Sequence, residues 1–430
     1  MRLWLTSTPK AFTPGPLRTM LLIWLGWAVL MTGYQVFAPA RLALQRPDYA
    51  TAWTPDETKA GGQPGHPYLQ GRFMNDHVAW DSEYYLSIAL HGYGDPQMLA
   101  VSKTADPGDP KLAPKGAHPD WVSLNDAFFP AYPMAMRIVS WPIRVLGADP
   151  LTAATLAGVL ISVAGTFCAM LALADLAGGE GDDPDRLRAA FYLLIMPASL
   201  FLAQVYTEGL FVGLSFGALA MLRRKQLAWA ALLAVIATWT RATGALLIIP
   251  LAWSWLENGG ARRLLARPLG RELLAPLLAA APALAYLAWR VALGRGFAVV
   301  EEHYFGRAAF ALGPSLQSWV DAATAFWTGP PAARAYYLVE FAGLGFGVAA
   351  CAVLWRRDRM LATYGLAILA VALTSGVALG MHRYVLGVPA LYLVPARWGR
   401  SLAFDRLWTL GNILVMGVFA LAFSADFWAG

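Results

Sequence analysis

The chain has 430 residues, of which 58% are hydrophobic and only 14% are charged. Soluble globular domains carry about 25% charged residues, so this composition excludes an ordinary soluble protein. Repeated apolar runs approach the roughly 20 residues that cross a bilayer, and they predict an all-α polytopic membrane protein. Basic residues outnumber acidic ones by 33 to 27, but most lie in short clusters between apolar runs. This placement is typical of membrane-orientation signals, so we expect no nucleic-acid partner.

The first apolar run covers residues 20–37 and follows Arg2, Lys10 and Arg18. Residues 38–40, Ala-Pro-Ala, superficially resemble a signal-peptide cleavage site. The apolar core of a signal peptide is only about 7–15 residues long, which is shorter than this run. We therefore expect a retained first span with its basic end in the cytoplasm.

Residues 39–126 contain no spanning segment, and they carry eleven acidic residues against seven basic ones. Loops of this length are usually functional or disordered. Within the loop, residues 75–93 begin with Asp76 and Asp81 and continue into an aromatic segment of helix length. We predict an extracytoplasmic loop at 39–150 that carries two interfacial helices, the first of them in this segment.

Residues 128–146 are long enough to span the membrane, but their pattern favours the second interfacial helix. Arg137, Ser140 and Arg144 fall on one polar stripe, and prolines interrupt the apolar remainder. If this segment crossed the membrane, every later basic cluster would lie outside, against the positive-inside rule.

With this segment in the interface, the chain is predicted to form one domain, residues 1–430, with eleven spans and a second extracytoplasmic loop at 294–335. Every basic cluster after the first span then lies in the cytoplasm. The predicted spans are residues 20–37, 151–177, 188–205, 208–222, 227–240, 244–255, 273–293, 336–355, 361–379, 385–396 and 407–423.

This topology places several ionisable residues on one side of the membrane. Asp81 and Glu83 lie in the first loop, and the others, Glu208, Arg241 and the His382-Arg383 pair, lie at external turns between spans. Ionisable residues at such depth are costly and tend to be functional. A carboxylate can take the proton of an acceptor hydroxyl. Arginines suit a phosphate leaving group, so we expect Arg383 and Arg241 to hold the lipid phosphate. The set predicts transfer of a group from a lipid phosphate to an external acceptor.

Each of these residues also has a structural interpretation. Asp81 could cap the helix that follows it, and Glu208 could be favoured by the dipole of the helix it begins. Arg241 and Arg383 could extend to the interface as anchors. Tyr84 and Tyr85 fit interfacial aromatic residues. The histidines of the first loop show no metal-ligand spacing, so we assign no metal.

Several short motifs follow one another in the second half of the first loop and beyond. They are WDSEYY at 80–85 with IA at 88–89 and GY at 92–93, FFPAYP at 128–133, Pro197, YTE at 206–208, Arg241 with Gly244, and Arg383-Tyr384 with Pro389. As an ordered set they resemble the GT-C integral-membrane glycosyltransferases, above all the GPI mannosyltransferase II family and its bacterial relatives.

The resemblance implies a GT-C-like helical bundle and inverting transfer of mannose from a polyprenyl- or dolichyl-phosphate donor, without a nucleotide-sugar site or another cofactor. The implied setting is the plasma (inner) membrane with the active site on its extracytoplasmic face. Asp81 corresponds to the catalytic base. The segment HYFGR at 303–307 is similar to the family's aromatic-Gly-Arg pattern. The expected substrate-binding residues are Glu83, Tyr84, Tyr85, Glu208, Arg241, Arg307, His382, Arg383 and Tyr384.

Two other classes of function are weighed against the enzyme. A transporter or flippase of a lipid-linked sugar usually shows internal repeats and broken helices near the midplane, and no repeat is visible here. A scaffold that binds partners through its first loop would not need charged residues from distant segments. The acceptor, which is a glycan, a lipid or a protein, is left open, as is metal dependence.

Overall fold

The computed structural model describes residues 14–42, 68, 75–104, 111–178, 183–266, 273–294, 296–308, 310–425 and 427–429. Across these residues the chain is built mainly of α-helices. Five helices are long and apolar enough to cross a membrane, and a sixth span results if one bent helix pair is counted as a unit. The predicted class, an all-α polytopic membrane protein, is confirmed, whereas the count of eleven spans is not.

The helices are numbered here in chain order. They are α1 Pro14–Leu42, α2 Ser82–Leu90, α3 Ala131–Val145, α4 Pro150–Ala177, α5 Pro184–Ile195, α6 Glu208–Arg223, α7 Leu227–Thr238, α8 Ile248–Glu257, α9 Gly260–Ala266, α10 Leu274–Leu293, α11 Gly296–His303, α12 Leu312–Thr328, α13 Pro331–Trp355, α14 Arg359–Leu373, α15 Met381–Tyr384, α16 Ala390–Trp398 and α17 Leu402–Ser424.

Each predicted span contains a helix, but several of these helices are broken or short. After α5 the chain turns by 83° into a 3₁₀ helix, Pro197–Ala203. Proline has no N–H to donate and disfavours helical geometry in the residue before it, so Pro197 ends α5 at this point. A second 3₁₀ helix, Ala242–Leu247, precedes α8. These breaks leave short helices that the apolar composition alone does not reveal.

The first loop contains an element that the sequence did not predict. Three short antiparallel strands, β1 Leu99–Val101, β2 Leu112–Pro114 and β3 Val122–Ser123, pair in the order β2-β1-β3. Residues 43–67 and 69–74 of this loop lie outside the described residues. The sheet leads into a 3₁₀ helix, Leu124–Ala127, and then into α3.

α3 is tied to α2 through one arginine of its polar stripe. Arg137 donates from Nε to the Ala89 carbonyl at 2.7 Å and from Nη2 to the Ile88 carbonyl at 3.1 Å. These carbonyls belong to the last turn of α2, where helix carbonyls lack intrahelical partners. A neighbouring stripe of α3, on the side away from the buried Tyr132 and Met136, exposes Ile138 and Trp141. An amphipathic helix of 15 residues with this arrangement suits the predicted interfacial position.

α4 and α6 pack with their backbones in contact because both present glycine at the interface. A Cβ atom on Gly209 would overlap the carbonyl of Ser162, and a Cβ atom on Gly213 would overlap the carbonyl of Gly165. Small residues at such positions allow the close approach that is common between membrane helices. Since α6 begins at Glu208, this contact also fixes the height and rotation of that carboxylate.

We expect Gly213→Ala to destabilise the protein by about 1–3 kcal/mol, because the new methyl group meets backbone that cannot move aside. Gly345→Ala on α13 is the matched control. Apart from the local backbone of α13, no atom of the described residues lies within 4 Å of a Cβ placed there, and alanine favours the helix. Thermal unfolding in detergent measures both. Equal midpoints for the two variants would contradict the proposed backbone contact.

Candidate functional site

A cavity of about 490 Å³ lies at the end of the helical body where α6 begins. Its walls come from α2 with the turn before it, from α11, and from the segment that leads into α15. Eight of the residues predicted from the sequence line it: Asp81, Glu83, Tyr84, Tyr85, Arg241, Arg307, Arg383 and Tyr384.

The turn that presents Asp81 is held by the segment just before α6. Trp80 adopts a φ of +53°, a left-handed conformation that is uncommon for a bulky residue. The hydroxyl of Tyr206 donates to the Ala79 carbonyl at 3.0 Å and accepts the backbone N–H of Asp81 at 3.3 Å. Ser82 Oγ donates to the Val205 carbonyl at 3.1 Å. These bonds hold an unfavourable backbone geometry, as is typical of functional sites.

Asp81 precedes α2, but its side chain makes no capping hydrogen bond. Its Oδ2 atom instead accepts from Arg383 Nη2 at 2.9 Å. The Asp81 side chain is 27% exposed, whereas that of Arg383 is only 10% exposed. The carboxylate therefore borders the cavity, with the guanidinium behind it.

Glu208 is the shared partner of two arginines. Its Oε1 atom lies 2.9 Å from Arg383 Nη2 and 2.5 Å from Arg241 Nη1. Arg241 also donates to Thr207 Oγ1 at 3.1 Å. Glu208 is 2% exposed and stands in the first turn of α6, where the helix dipole stabilises negative charge. It supports the site from behind, and the cavity lining does not include it.

These contacts join four predicted residues into one group, which we call the charge quartet: Asp81, Glu208, Arg241 and Arg383. Two negative and two positive charges balance, so the quartet can be buried without a net charge. Neither arginine extends to the interface as an anchor, because both are bound inward. The guanidinium of Arg383 also lies 4.7 Å from the ring centroid of Tyr206, a favourable cation–π contact.

Aromatic residues of α2 form a second wall of the cavity. The Tyr84 ring stacks on Phe128 with centroids 4.5 Å apart. Tyr85 packs edge-on against Phe128 and Tyr132, and its hydroxyl lies 3.5 Å from Thr207 Oγ1. Rings held in this way form a rigid apolar surface beside the charged groups.

His382 lies behind the cavity wall, in a buried network that sequence analysis missed. Its Nδ1 atom is 3.1 Å from Glu340 Oε1, and its Nε2 atom is 2.8 Å from the Ala429 carbonyl. Glu340 is fully buried in α13. Its carboxylate accepts hydrogen bonds from the backbone N–H groups of Met381 and His382, at 3.2 and 2.7 Å. It also accepts one from the hydroxyl of Tyr336 at 2.5 Å. This network fixes α15, the short helix that carries Arg383. The sequence did contain one indication of this network, because Glu340 is a lone glutamate within the predicted span 336–355.

Arg307 differs from the quartet arginines, because its partners are neutral. It donates to the Tyr384 hydroxyl at 3.0 Å and to the Leu379 carbonyl at 3.1 Å. Arg290 also lines the cavity, where its guanidinium lies 4.8 Å from the ring centroid of Phe297. Across the described part of the chain, neither arginine forms an ion pair with a carboxylate. The cavity therefore contains two guanidinium groups that are not held in an ion pair. The carboxyl group of Glu301, which lines the same cavity, interacts with both of them through space.

Glu301 of α11 also lines the cavity and was not predicted. Burial raises the pKa of its carboxyl group to about 7, and the negative charge of Asp81 contributes in the same direction, while Arg307 and Arg290 oppose the shift. Glu301 is therefore largely protonated below neutral pH, which leaves the cavity more positive there. Among the described residues, no group of three or more His, Cys, Asp or Glu side chains is placed to hold a metal ion.

Comparison with known proteins gives partial sequence relatives. The human GPI alpha-1,6-mannosyltransferase 2 is 31% identical over 172 residues, 38% of this chain and 29% of the human protein. The mouse protein of the same name matches at 31% identity over 169 residues, with the same coverage. The match thus spans less than a third of each relative's length. It confirms the predicted resemblance over that part of the chain. No protein-family model matches.

The search of solved structures finds the archaeal oligosaccharyltransferase AglB from Archaeoglobus fulgidus, in complex with an inhibitory peptide and a dolichol-phosphate. It aligns with 95% of this chain and 56% of its own, with a TM-score of 0.41 and 15% sequence identity. At this TM-score the similarity does not establish a shared fold.

We expect Glu340→Gln to lower the free energy of unfolding by about 3 kcal/mol, because a buried charge partner of His382 is lost and the amide group faces backbone donors. Asp321→Asn is the matched control: among the described residues, the side chain of this exposed carboxylate on α12 accepts one hydrogen bond, from Gln317 of its own helix. The thermal midpoints of the two variants measure the difference. A Glu340 variant as stable as wild type would show that this network does not hold α15.

Proposed function

We propose that this protein is a polyprenyl-phosphate-sugar-dependent glycosyltransferase with a GT-C-like bundle. Its reaction is inverting transfer of mannose to a glycan, lipid or protein acceptor on the extracytoplasmic side of the plasma (inner) membrane. The observation that carries the proposal is the charge quartet, because it joins four distant chain segments at the rim of a single cavity. The partial similarity to GPI alpha-1,6-mannosyltransferase 2 supports mannose as the transferred sugar.

Asp81 is the group we assign as general base. One of its oxygens is held by Arg383. Across the described residues, no hydrogen-bond donor is bound to the other, Oδ1, which leaves it available to an acceptor hydroxyl. Holding one oxygen fixes the direction of the second, and a positioned carboxylate contributes about 10²- to 10⁴-fold as a general base. Arg383 is thus a positioning residue for Asp81 in this proposal.

The donor phosphate is assigned to Arg307 and Arg290. The sequence favoured Arg383 and Arg241 for this role, but both guanidinium groups already contact Glu208. A phosphate would have to compete with that buried carboxylate for them. Arg307 and Arg290 face the same cavity, and their hydrogen-bond and ring partners are neutral. Their acidic neighbour Glu301 has a raised pKa. A phosphate therefore meets less competition for these two guanidinium groups than for those that contact Glu208.

The proposed reaction is a single displacement. The acceptor hydroxyl gives its proton to Asp81 while its oxygen forms a bond to the anomeric carbon of the sugar. The bond between that carbon and the phosphate oxygen breaks on the opposite side, and the electron pair leaves with the lipid phosphate. Arg307 and Arg290 stabilise the charge that develops there. Attack opposite the leaving group inverts the anomeric centre.

Asp81→Asn is expected to reduce transfer from a polyprenyl-phosphate mannose donor by about 10²- to 10⁴-fold, because the amide cannot accept the proton. The assay follows release of the lipid phosphate by purified protein. Asp120→Asn, a change at an exposed residue of the first loop, is the control and should retain activity. Near-normal turnover by the Asp81 variant would remove this residue from the mechanism. Movement of the intact lipid-linked sugar across the membrane without its cleavage would favour a transporter.

Arg307→Gln and Arg383→Gln are expected to affect different kinetic constants. Loss of Arg307 removes charge-assisted bonds to the phosphate, so KM for the donor should rise by about ten- to a hundredfold. Loss of Arg383 frees Asp81 from its partner, so kcat should fall by more than KM rises. Arg334→Gln, at an exposed arginine that bonds only to the Gly329 carbonyl among described residues, is the control. If the donor KM rose for Arg383→Gln and not for Arg307→Gln, the phosphate-binding role would belong to Arg383.

A further inference from the structure

A second cavity, of about 460 Å³, lies at the opposite end of the helical body. α6 runs from Glu208, beside the first cavity, to Arg223, and α16 runs from the segment after Arg383 to Trp398. The second cavity is formed where α4, α13 and α16 end and where α5 begins. Its charged lining residues are Asp183, Asp185, Arg357, Arg397 and Arg400.

Most arginines at this end are already bound to carboxylates or to helix carbonyls. Arg188 Nη1 lies 2.6 Å from Asp185 Oδ1 and donates to the Ala396 carbonyl at 2.6 Å. Arg400 forms a two-pronged ion pair with Asp185, at 2.6 and 3.0 Å to Oδ2. Asp185 is buried, and these two arginines use both of its oxygens. It therefore has little capacity for a third cation.

Arg223 and Arg224 are occupied as well. Arg224 holds Asp175 through two parallel bonds of 3.0 and 3.1 Å. Arg223 lies 3.2 Å from Asp358 and donates to the Leu176 carbonyl at 2.5 Å. These contacts explain the two arginines as partners of the last turn of α4 and of the turn before α14.

Arg357 and Arg397 remain, and both line the cavity. Across the described ranges of the chain, neither side chain forms a hydrogen bond or an ion pair. Arg397 is half-buried and lies within electrostatic reach of three other arginines, Arg357, Arg223 and Arg400. Asp185 is also within reach, but Arg188 and Arg400 already bind its carboxylate. Like charges gathered in one partly buried space repel one another, and an anion placed between them removes that cost.

The mouth of this cavity has the character of a membrane interface. Trp398 is 39% exposed and Val353 is 42% exposed, and both line the cavity. Tryptophan is enriched at the level of the lipid headgroups, and basic pockets between helix ends can hold anionic headgroups. We propose that Arg357 and Arg397 bind the phosphate group of an anionic phospholipid, with Trp398 beside its glycerol backbone.

The test measures the thermal midpoint of the detergent-solubilised full chain with soluble short-chain phosphatidylglycerol, with short-chain phosphatidylcholine and with inorganic phosphate. Phosphatidylglycerol is expected to raise the midpoint in a saturable way. The double variant Arg357→Gln/Arg397→Gln should need about tenfold more phosphatidylglycerol for the same rise. Arg262→Gln, at an exposed arginine of α9 that does not line the cavity, is the control and should behave as wild type.

The double variant should fold, because among described residues no partner is left unpaired when these side chains are replaced. Its midpoint in phosphatidylcholine should equal or exceed that of wild type. Equal responses to phosphatidylglycerol by the wild type and the double variant would overturn the site. A full effect of inorganic phosphate alone would overturn its assignment to a lipid. None of these outcomes depends on glycosyl transfer, so the site can fail or stand independently of the proposed enzyme.

Discussion

The geometry of the cavity that Asp81 borders depends on one buried carboxylate at the beginning of α6. Glu208 holds Arg241 and Arg383 together, and Arg383 in turn holds Asp81. Without that carboxylate the two guanidinium groups would repel each other, and the burial of each would be uncompensated. The helix dipole at the start of α6 adds to the stabilisation of Glu208. The orientation of Asp81 therefore depends, through Arg383, on Glu208, a carboxylate that does not line the cavity.

The same region also shows how the candidate site is built from short, broken helices. Pro197 stops α5, and the chain that follows turns by 83° before α6 begins. The backbone freed by this break bonds to the turn that carries Asp81: the N–H of Val205 reaches the His77 carbonyl at 3.0 Å. Non-helical backbone at membrane depth is tolerated only where protein or a water-filled cavity satisfies it. Here protein satisfies it, because the freed backbone supports the loop that carries Asp81.

The sequence predicted those residues of the site whose burial near the membrane costs free energy because their side chains are charged. Asp81, Glu208, Arg241 and Arg383 stood out because charged residues beside apolar runs are expensive, and the structure brings all four together. Glu340, Arg290 and Glu301 were missed although they carry charge as well. The first two lie inside runs that had been assigned only a spanning role, and Glu301 lies in a loop where charge is ordinary.

The features that the sequence did not predict depend on contacts between distant residues rather than on residue type. The three-stranded sheet depends on pairing between strands of two or three residues, for which local propensity gives almost no signal. The helix breaks depend on where tertiary partners replace lost backbone bonds. The placement of His382 against Glu340, rather than in the cavity, depends on the packing of α15 against α13. Each of these follows from contacts between residues far apart in the chain.

The arginines of this protein divide into two groups, and the division bears on how basic residues near membranes should be interpreted. Those that hold a carboxylate, such as Arg383 and Arg224, are part of the framework, and a ligand would have to displace an existing partner to reach them. Those without one, Arg307 at one end and Arg397 at the other, face a cavity. Charge alone does not separate the two groups, because all of these side chains carry the same positive charge. The presence or absence of an ion pair with a carboxylate does separate them. An arginine outside an ion pair can bind a phosphate without losing a carboxylate partner, so a phosphate binds there at the lowest cost in free energy.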